Sequence, residues 1–170
     1  MAKKILFVLT SAKEMPWGKD SGYWVEEVAT PYYFFTEKGF EVELASISGG
    51  SPPVDEGSMK EPFATEEATR FASDADVTAK MTATKAIADC VESAEAGEYA
   101  CVFLPGGHGA AVDLHPSVDL KKVLEACYAK GGVISAVCHG CAGLLTPLDT
   151  TTGELIIKGK NCTGIHCEWS

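Results

Sequence analysis

The sequence predicts a doubly wound α/β fold, in which a mostly parallel sheet carries helices on both faces. Short apolar runs alternate along the chain with longer amphipathic segments, which is the pattern of buried parallel strands covered by helices. Two of these runs end in turns that contain glycine, at the sheet edge where such folds bind ligands. One of the two leads into a cysteine flanked by small residues, which is typical of a nucleophile elbow. We therefore expect a flavodoxin-like sheet with a nucleophile elbow.

The first half of the chain begins the alternation of strands and helices. Lys4–Leu9 is an apolar run too short for a signal peptide and is predicted as the first strand. Gly22–Lys38 is predicted as a helix and Glu41–Ser46 as the second strand. The Gly- and Pro-rich segment Gly49–Phe63 is predicted to be a surface insertion near the site. Ala64–Ala88 is rich in Ala and Thr, shows no repeat, and is predicted to be helix and loop.

The second half of the chain continues this alternation beyond the elbow. Helices are predicted over Asp76–Ser93, Ser117–Lys130 and His139–Leu145, and strands over Tyr99–Leu104 and Val133–Val137. Two further short strands are predicted around a Gly159-Lys160 turn, over Glu154–Lys158 and Asn161–Ile165. No linker separates these elements, so we expect a single domain over residues 1–170.

Composition and charge restrict the classes of function. The chain has 170 residues, of which 46% are hydrophobic and 22% charged, as in a globular domain. A formal net charge of −10 argues against nucleic acid and against anionic membrane surfaces, and no apolar run reaches the length of about 18 residues that spans a bilayer. Seven cysteines, an odd number, fit a disulfide framework poorly and indicate reduced thiols. We therefore expect a cytoplasmic protein without nucleic-acid or membrane partners.

The segment around Cys138 carries the clearest chemical signal. An apolar run ends on this cysteine, and Ala136 and Gly140 are small enough for a tight turn around it. A helix N-terminus beneath the thiol is expected to lower its pKa from about 8.5 and to increase the thiolate fraction. From the residues alone, an ordinary turn after a buried strand is an equally good interpretation.

A second turn strengthens the catalytic interpretation. The run Tyr99–Leu104 leads into Pro105–Gly109, with the sequence PGGHG, where consecutive glycines let backbone N–H groups converge on a ligand. In a parallel sheet this turn and the Cys138 turn open on the same edge. An oxyanion site beside the cysteine is therefore expected, the alternative being a plain strand-to-helix turn.

Several of these motifs together resemble a known family. PGGHG, the AVCHG sequence of Ala136–Gly140 and the early helix from Gly22 to Pro31 resemble the ThiJ/PfpI superfamily, which includes the Parkinson-associated deglycase and class I glutamine amidotransferase-like domains. The segment Ala45–Ser58 is similar to the heat-shock chaperone/glyoxalase III branch. The resemblance extends from Lys3 to Gly164 and implies a cofactor-independent enzyme with a cysteine nucleophile.

The resemblance also implies roles for individual residues. Cys138 would be the nucleophile, His139 an acid or base, and Glu27 a carboxyl over the elbow. Adjacent glutamates point about 100° apart on a helix, so Glu26 and Glu27 cannot both face inward, and the helix is expected to kink or restart at Pro31. A carboxyl beside a thiolate is expected to be protonated and to donate to the sulfur. The further implied residues are an acidic residue, Glu168, to orient His139, and Gly106, Gly107 and His108 for oxyanion and substrate binding. From its place in the turn, His108 is either loop scaffolding, which is favoured, or a group that transfers protons.

Cys141 departs from the family, which usually has proline at this position. It forms a Cys-x-x-Cys pair with Cys138, which is compatible with a resolving thiol for an oxidised Cys138 or with a small buried residue. A zinc site formed by Cys138, Cys141, His166 and Cys167 is a weak alternative, because adjacent ligands chelate zinc poorly. No metal or other cofactor is therefore expected.

The implied activity is that of a glutathione-independent glyoxalase, which converts small 2-oxoaldehydes to 2-hydroxy acids. The alternatives are a stress chaperone or redox-sensing protein that uses Cys138, a deglycase or peptidase-like hydrolase, and an inactive paralogue. The family has further elements after the position of Ile165, whereas this sequence ends at Ser170. An uncovered apolar face would result, so we expect a homodimer.

Overall fold

The computed structural model describes residues 4–164, which form a five-stranded sheet with helices packed against it. The strands are β1 (Lys4–Leu9), β2 (Glu41–Ser46), β3 (Lys85–Ala86), β4 (Tyr99–Leu104) and β5 (Val133–Ala136). The α-helices are α1 (Val25–Glu37), α2 (Glu66–Ser73), α3 (Ala75–Thr82), α4 (Val91–Glu95), α5 (Ala110–Asp113) and α6 (Val118–Ala129). Short 3₁₀ helices cover Glu56–Met59, Ile87–Cys90 and Cys138–Leu144.

The strand order is β3-β2-β1-β4-β5, and all neighbouring strands are parallel. Without the two-residue β3, the remaining order is β2-β1-β4-β5, which is flavodoxin-like. The strand order reverses between β1 and β4, which is the topological switch point. Phe7 of β1 is aligned with Leu44 of β2 on one side and with Phe103 of β4 on the other. The predicted fold class is confirmed, and its ligand-binding edge lies at the carboxyl ends of β1 and β4.

Two hydrophobic cores lie on opposite faces of the sheet because successive side chains of a strand alternate. Ile5, Phe7 and Leu9 of β1 belong to the core shared with α1, α2 and α3. Leu6 and Val8 belong to the core shared with α4, α5 and α6. The sheet is thus covered by helices on both faces, as the alternation of segments predicted.

The predicted helix over Asp76–Ser93 is wrong in its middle. The chain leaves α3 at Thr82, and Thr84 then bonds to two other segments: its Oγ1 lies 2.8 Å from Ser46 Oγ, and its backbone N–H donates to Gly50 O at 3.0 Å. These bonds hold the chain extended, so that Lys85–Ala86 pairs with β2. A buried hydroxyl pair between distant segments therefore overrides the helical pattern.

The two strands predicted after the elbow are also absent from the part of the chain that is described. Residues 154–160 form successive turns, in which Lys158 N donates to Leu155 O at 2.9 Å and Lys160 N to Ile157 O at 3.1 Å. These local bonds compete with strand pairing and leave only an isolated bridge between Leu148 and Leu155. Residues 161–164 have no regular structure, and Ile165 lies outside the described residues. Within residues 4–164, no helix is long and apolar enough to cross a membrane.

Candidate active site

Cys138 lies at a strained turn between β5 and a 3₁₀ helix. β5 ends at Ala136, and the helix begins at Cys138 itself, one residue earlier than predicted. Cys138 has φ of 55°, and within residues 4–164 no other non-glycine residue has a positive φ. A Cβ at Gly140 would lie 2.1 Å from Leu104 O, so this position requires glycine. Backbone strain of this kind is typical of a nucleophile elbow.

The turn after β4 lies directly against the elbow. Gly107 has φ of 89°, and a Cβ there would lie 2.1 Å from Gly22 O. The same turn contacts the start of α1, because Trp24 N donates to Gly106 O at 3.2 Å. The close approach that glycine allows therefore brings the ends of β4 and β5 and the start of α1 to one point.

Glu27 of α1 points into this junction, whereas Glu26 does not. Glu27 Oε2 accepts a hydrogen bond from Gly106 N at 2.7 Å, and its carboxyl lies beside the Cys138 thiol, where it raises the pKa of that thiol. Glu26 bonds instead to the hydroxyls of Thr30 and Thr65. The two adjacent glutamates thus point in different directions, as helical geometry requires.

Two expectations about this region are corrected. The N–H of Gly106 is donated to Glu27, so Gly106 holds the carboxyl rather than an oxyanion. α1 continues through Pro31 to Glu37 and does not restart there, because buried Val28 and Ala29 before the proline and Tyr32 and Tyr33 after it pack against one core. The orientation of Glu27 follows from its bond to the β4 turn instead.

The Cys138 thiol is less acidic than the sequence suggested. Burial and the hydrogen bond to Glu27 raise its pKa above its ordinary value, and backbone N–H groups of His139 and Gly107 oppose this only in part. The predicted lowering by a helix N-terminus is therefore wrong. The element behind the thiol is a single short 3₁₀ segment, and a carboxyl beside it repels the thiolate. A thiol of this kind needs a base to become a nucleophile.

His139 provides such a base. Its Nδ1 lies 3.3 Å from Cys138 Sγ. Burial lowers its pKa, and the neighbouring His108 lowers it further, so the imidazole is neutral at neutral pH and free to accept a proton. The thiol and the imidazole therefore form a neutral pair in which the proton moves only as the sulfur attacks.

His108 lies next to His139 and is paired with Asp55. The two imidazole ring centroids are 4.7 Å apart, and His108 Nδ1 lies 3.2 Å from Asp55 Oδ2. Asp55 belongs to the Gly49–Phe63 segment, which was predicted to lie near the site without any residue of it being assigned a role. Asp55 and His108 are 53 residues apart, and no motif in the sequence links them. Only the fold therefore reveals that the two side chains are paired.

A cavity of about 330 Å³ opens beside the elbow. Cys138 and His139 form part of its wall, together with Cys141 and Cys162, and its other side is apolar, with Leu144, Leu145 and Ile157 among the lining residues. The volume is at the lower end of the range for small-molecule sites. A two- or three-carbon ligand could therefore reach the sulfur from this side.

The predicted acidic residue Glu168 lies outside the described residues, as do His166 and Cys167 of the zinc alternative. Within residues 4–164, no three His, Cys, Asp or Glu side chains are grouped as ligands for a metal ion. The structure brings Cys138, His139, Glu27, Gly107 and His108 to one place, with Gly106 supporting Glu27.

Comparison with known proteins identifies the family of this chain. The ThiJ/PfpI family-like model matches residues 19–162. The chain belongs to the ThiJ/PfpI family. It is 34% identical to glyoxalase 3 of Candida albicans over 95% of this chain and 68% of that protein. It is 33% identical to the glutathione-independent glyoxalase HSP31 of Saccharomyces cerevisiae, again over 95% of this chain and 68% of the relative. The crystal structure of glyoxalase III from Candida albicans superposes with a TM-score of 0.83 at 34% identity, covering 96% of this chain and 68% of that one.

Proposed function

We propose that this ThiJ/PfpI chain is a glutathione-independent glyoxalase of the glyoxalase III type, acting on methylglyoxal and related 2-oxoaldehydes. The observation that carries the proposal is the contact of one thiol, Cys138, with both a neutral imidazole, His139, and a carboxyl, Glu27. The glyoxalase names of the two curated relatives support it. The reaction needs a nucleophile for the aldehyde and groups that move protons between neighbouring atoms, and this site offers both.

In the first step, the sulfur adds to the aldehyde carbon, C1. The thiol proton passes to His139 Nδ1, which lies 3.3 Å from the sulfur. The electron pair of the C1 carbonyl moves to its oxygen, O1. The backbone N–H groups of Gly107 and His139 are close enough to the sulfur to lower its pKa, so they can bind O1, which lies two bonds from the sulfur. The product is a hemithioacetal on Cys138.

In the second step, the hydrogen on C1 moves to the ketone carbon, C2. Glu27 lies beside the sulfur and accepts this proton as a carboxylate, then delivers it to C2. The electron pair of the C1–H bond forms a C1–C2 double bond, and the electron pair of the C2 carbonyl moves to O2, which takes up a proton. When C2 is protonated, the electron pair on O1 forms the C1 carbonyl, so that a thioester of the 2-hydroxy acid results. In the third step, water adds its hydroxide to C1, and its remaining proton replaces the one that O2 took up. The sulfur leaves and takes its proton back from His139, and the acid is released. Glu168 is proposed to orient His139 throughout.

The decisive experiment is the conversion of methylglyoxal to lactate in the absence of glutathione. We expect Cys138→Ser and Cys138→Ala to lose nearly all turnover, because a serine hydroxyl is a much weaker nucleophile without a strong base. Cys90→Ala, which changes a buried core cysteine away from the site, is the matched control and should retain turnover. Wild-type rates in Cys138→Ser would exclude the proposed mechanism.

A second candidate function is redox sensing by the same cysteine. The supporting observation is that Cys141 and Cys162 line the same cavity as Cys138. A hydroperoxide would oxidise Cys138 to a sulfenic acid, and the hydroperoxide would be reduced to an alcohol or to water. A neighbouring thiol would then attack the sulfenic sulfur, forming a disulfide and releasing water. Residues Cys138 and Cys141 are three apart in a 3₁₀ helix, where such side chains align about 6 Å apart along the axis, within reach of a disulfide.

Mass spectrometry after treatment with hydrogen peroxide tests this candidate. We expect a disulfide between Cys138 and Cys141 or Cys162, and Cys141→Ser together with Cys162→Ser should drive Cys138 to the sulfinic acid instead. Cys90→Ala should leave the disulfide unchanged. Formation of the sulfinic acid alone in the wild-type chain would argue against a resolving thiol.

We further propose that two copies of the chain associate through the β5 edge and act in the cytoplasm, where free thiols persist. β5 is the last strand of the described sheet, and Val133 on it is 59% exposed. Val137 and Leu145 extend the exposed apolar surface beyond the strand. An unpaired strand edge next to apolar side chains favours association with a second copy.

A further inference from the structure

The proposed conversion requires two separate proton movements. The hydrogen on C1 moves to C2, and the former ketone oxygen, O2, gains a proton to become the hydroxyl of the product. Glu27 and His139 account for the carbon-bound hydrogen and for the proton of the thiol. Neither of them supplies the proton that O2 requires at the moment when the C1 hydrogen is removed.

A proton donor next to His139 is available in His108. Its ring centroid is 4.7 Å from that of His139, whose Nδ1 contacts the Cys138 sulfur. The His108 side chain is 41% exposed, so a ligand can reach it. A dicarbonyl attached to the sulfur through C1 has its second oxygen two bonds from C1. O2 can therefore extend toward His108 while O1 lies at the Gly107 and His139 N–H groups.

Asp55 fixes the orientation of this imidazole. Asp55 Oδ2 lies 3.2 Å from His108 Nδ1, so the carboxylate accepts the Nδ1 proton and directs Nε2 away from itself. Asp55 is itself held in place: its Oδ1 accepts from Gly57 N at 3.0 Å, and its backbone N–H donates to Tyr23 O at 2.9 Å. Only 15% of its side chain is exposed. A flexible surface ion pair would not show these additional bonds.

We propose that His108 is the catalytic acid that protonates O2, and that Asp55 is the residue that positions it. This inference rests on the proposed glyoxalase function and extends it. As Glu27 removes the C1 hydrogen as a proton, the electron pair of the C1–H bond forms a C1–C2 double bond. The electron pair of the C2 carbonyl moves to O2, and O2 takes the Nε2 proton of His108. C2 then accepts the proton carried by Glu27, and the pair on O1 forms the thioester carbonyl.

The proton given up by His108 is recovered during hydrolysis. Water adds its hydroxide to C1 and passes its remaining proton to the now neutral His108, while His139 returns its proton to the leaving sulfur. All groups thus regain their starting protonation, and no oxidant or reductant is involved. The arrangement selects for 2-oxoaldehydes, because an aldehyde without the neighbouring carbonyl presents no O2 to His108.

The test compares His108→Gln, Asp55→Asn and His115→Gln in the full chain. His115 is exposed and does not line the cavity beside Cys138, so it controls for the loss of a histidine. Asp55→Asn keeps an acceptor for the N–H of Gly57 and removes only the charge. The readouts are kcat and KM for methylglyoxal, the isotope effect with methylglyoxal deuterated at C1, the rate of Cys138 alkylation by iodoacetamide, and the melting temperature.

We expect His108→Gln to lower kcat by about 100-fold, as is typical when a general acid is lost, with a smaller change in KM. Removal of the C1 hydrogen should then limit the rate, so the isotope effect on kcat should increase. Asp55→Asn should lower kcat less, and His115→Gln should match the wild type. The rate of alkylation should remain within a factor of two to three in all variants, because addition to Cys138 does not use His108.

Wild-type kcat and an unchanged isotope effect in His108→Gln would overturn the inference and leave the proposed function intact. A parallel loss of turnover, alkylation and thermal stability would also overturn it, since the residue would then only support the fold. If the wild-type chain itself does not convert methylglyoxal, the proposed function fails, and this inference fails with it.

Discussion

Glu27 Oε2 lies 2.7 Å from the backbone nitrogen of Gly106, so a carboxyl on α1 is fixed to the turn after β4. The same carboxyl lies beside the thiol of Cys138, which follows β5, and raises the pKa of that thiol. One side chain therefore connects three segments that are far apart in sequence. Its charge also determines how readily the thiol loses its proton.

Glu27→Gln should make the thiol more reactive toward alkylation at neutral pH. The Glu27 carboxyl raises the pKa of Cys138 by its hydrogen bond and by its charge. The uncharged amide removes the repulsion, so the pKa falls and the thiolate fraction at pH 7 rises. The pH dependence of the iodoacetamide reaction measures this shift. Glu26→Gln is the matched control, because Glu26 bonds to Thr30 and Thr65 instead, and an equal shift in both variants would contradict the assignment.

His139 should titrate below the ordinary histidine value of 6.5, since burial and the neighbouring His108 both disfavour its charged form. An NMR titration of the imidazole carbons measures this pKa directly. Replacing His108 by Gln removes a nearby positive charge, so the pKa of His139 should rise toward 6.5 without reaching it, because burial remains. His115→Gln should leave the titration unchanged. A lower pKa in His108→Gln would have the wrong sign for this electrostatic effect.

Gly140→Ala should destabilise the protein. A Cβ at this position would lie 2.1 Å from Leu104 O, so the backbone at the elbow must move. We expect a loss of about 1–3 kcal/mol in the free energy of unfolding, the usual cost of overpacking a dense site. Denaturant unfolding of the variant provides the measurement.

Gly164→Ala is the control for this substitution. Among residues 4–164, no atom lies within 4 Å of a Cβ built at Gly164. Alanine restricts the unfolded chain in the same way at both positions. We expect its free energy of unfolding to lie within about 0.5 kcal/mol of the wild type, or slightly above it. If the two variants unfold alike, the elbow has more freedom than its close contacts indicate.

The chain should form dimers at micromolar concentration through the β5 edge. Val133→Lys should weaken association, because it places a charge on an exposed apolar position of the edge strand. Sedimentation velocity measures the change, and Val118→Lys, at an equally exposed position on α6, is the matched control. A monomer in the wild-type chain, or equal weakening by both substitutions, would contradict an interface at β5.

The prediction of Asp76–Ser93 as one helix shows where sequence patterns are insufficient. Helical periodicity is a local property, and it suits much of this segment, as α3 and α4 demonstrate. The break between them depends on Thr84, whose hydroxyl is paired with Ser46 and Gly50. Those partners are 38 and 34 residues away, so no window along the chain contains the competing interaction.

The acidity of Cys138 illustrates the same limit at the site. The sequence indicates a nucleophile at an elbow, because small residues and an apolar strand are local requirements of that turn. The pKa depends instead on desolvation and on the charge of Glu27, both of which arise from packing between segments. For this reason the sequence favoured a thiolate, whereas the structure contains a thiol that relies on His139.

The sequence by itself determined the parallel α/β fold, the positions of β1, β2 and β4, the elbow at Cys138 and the family. Each of these depends on residues that are close together in the chain or on motifs in a fixed order. Only the tertiary structure decided that the N–H of Gly106 is occupied by Glu27 and that Asp55 pairs with His108. The physical reason is that hydrogen bonds and electrostatic shifts depend on distances in space, and folding brings together residues whose separation in the sequence carries no information.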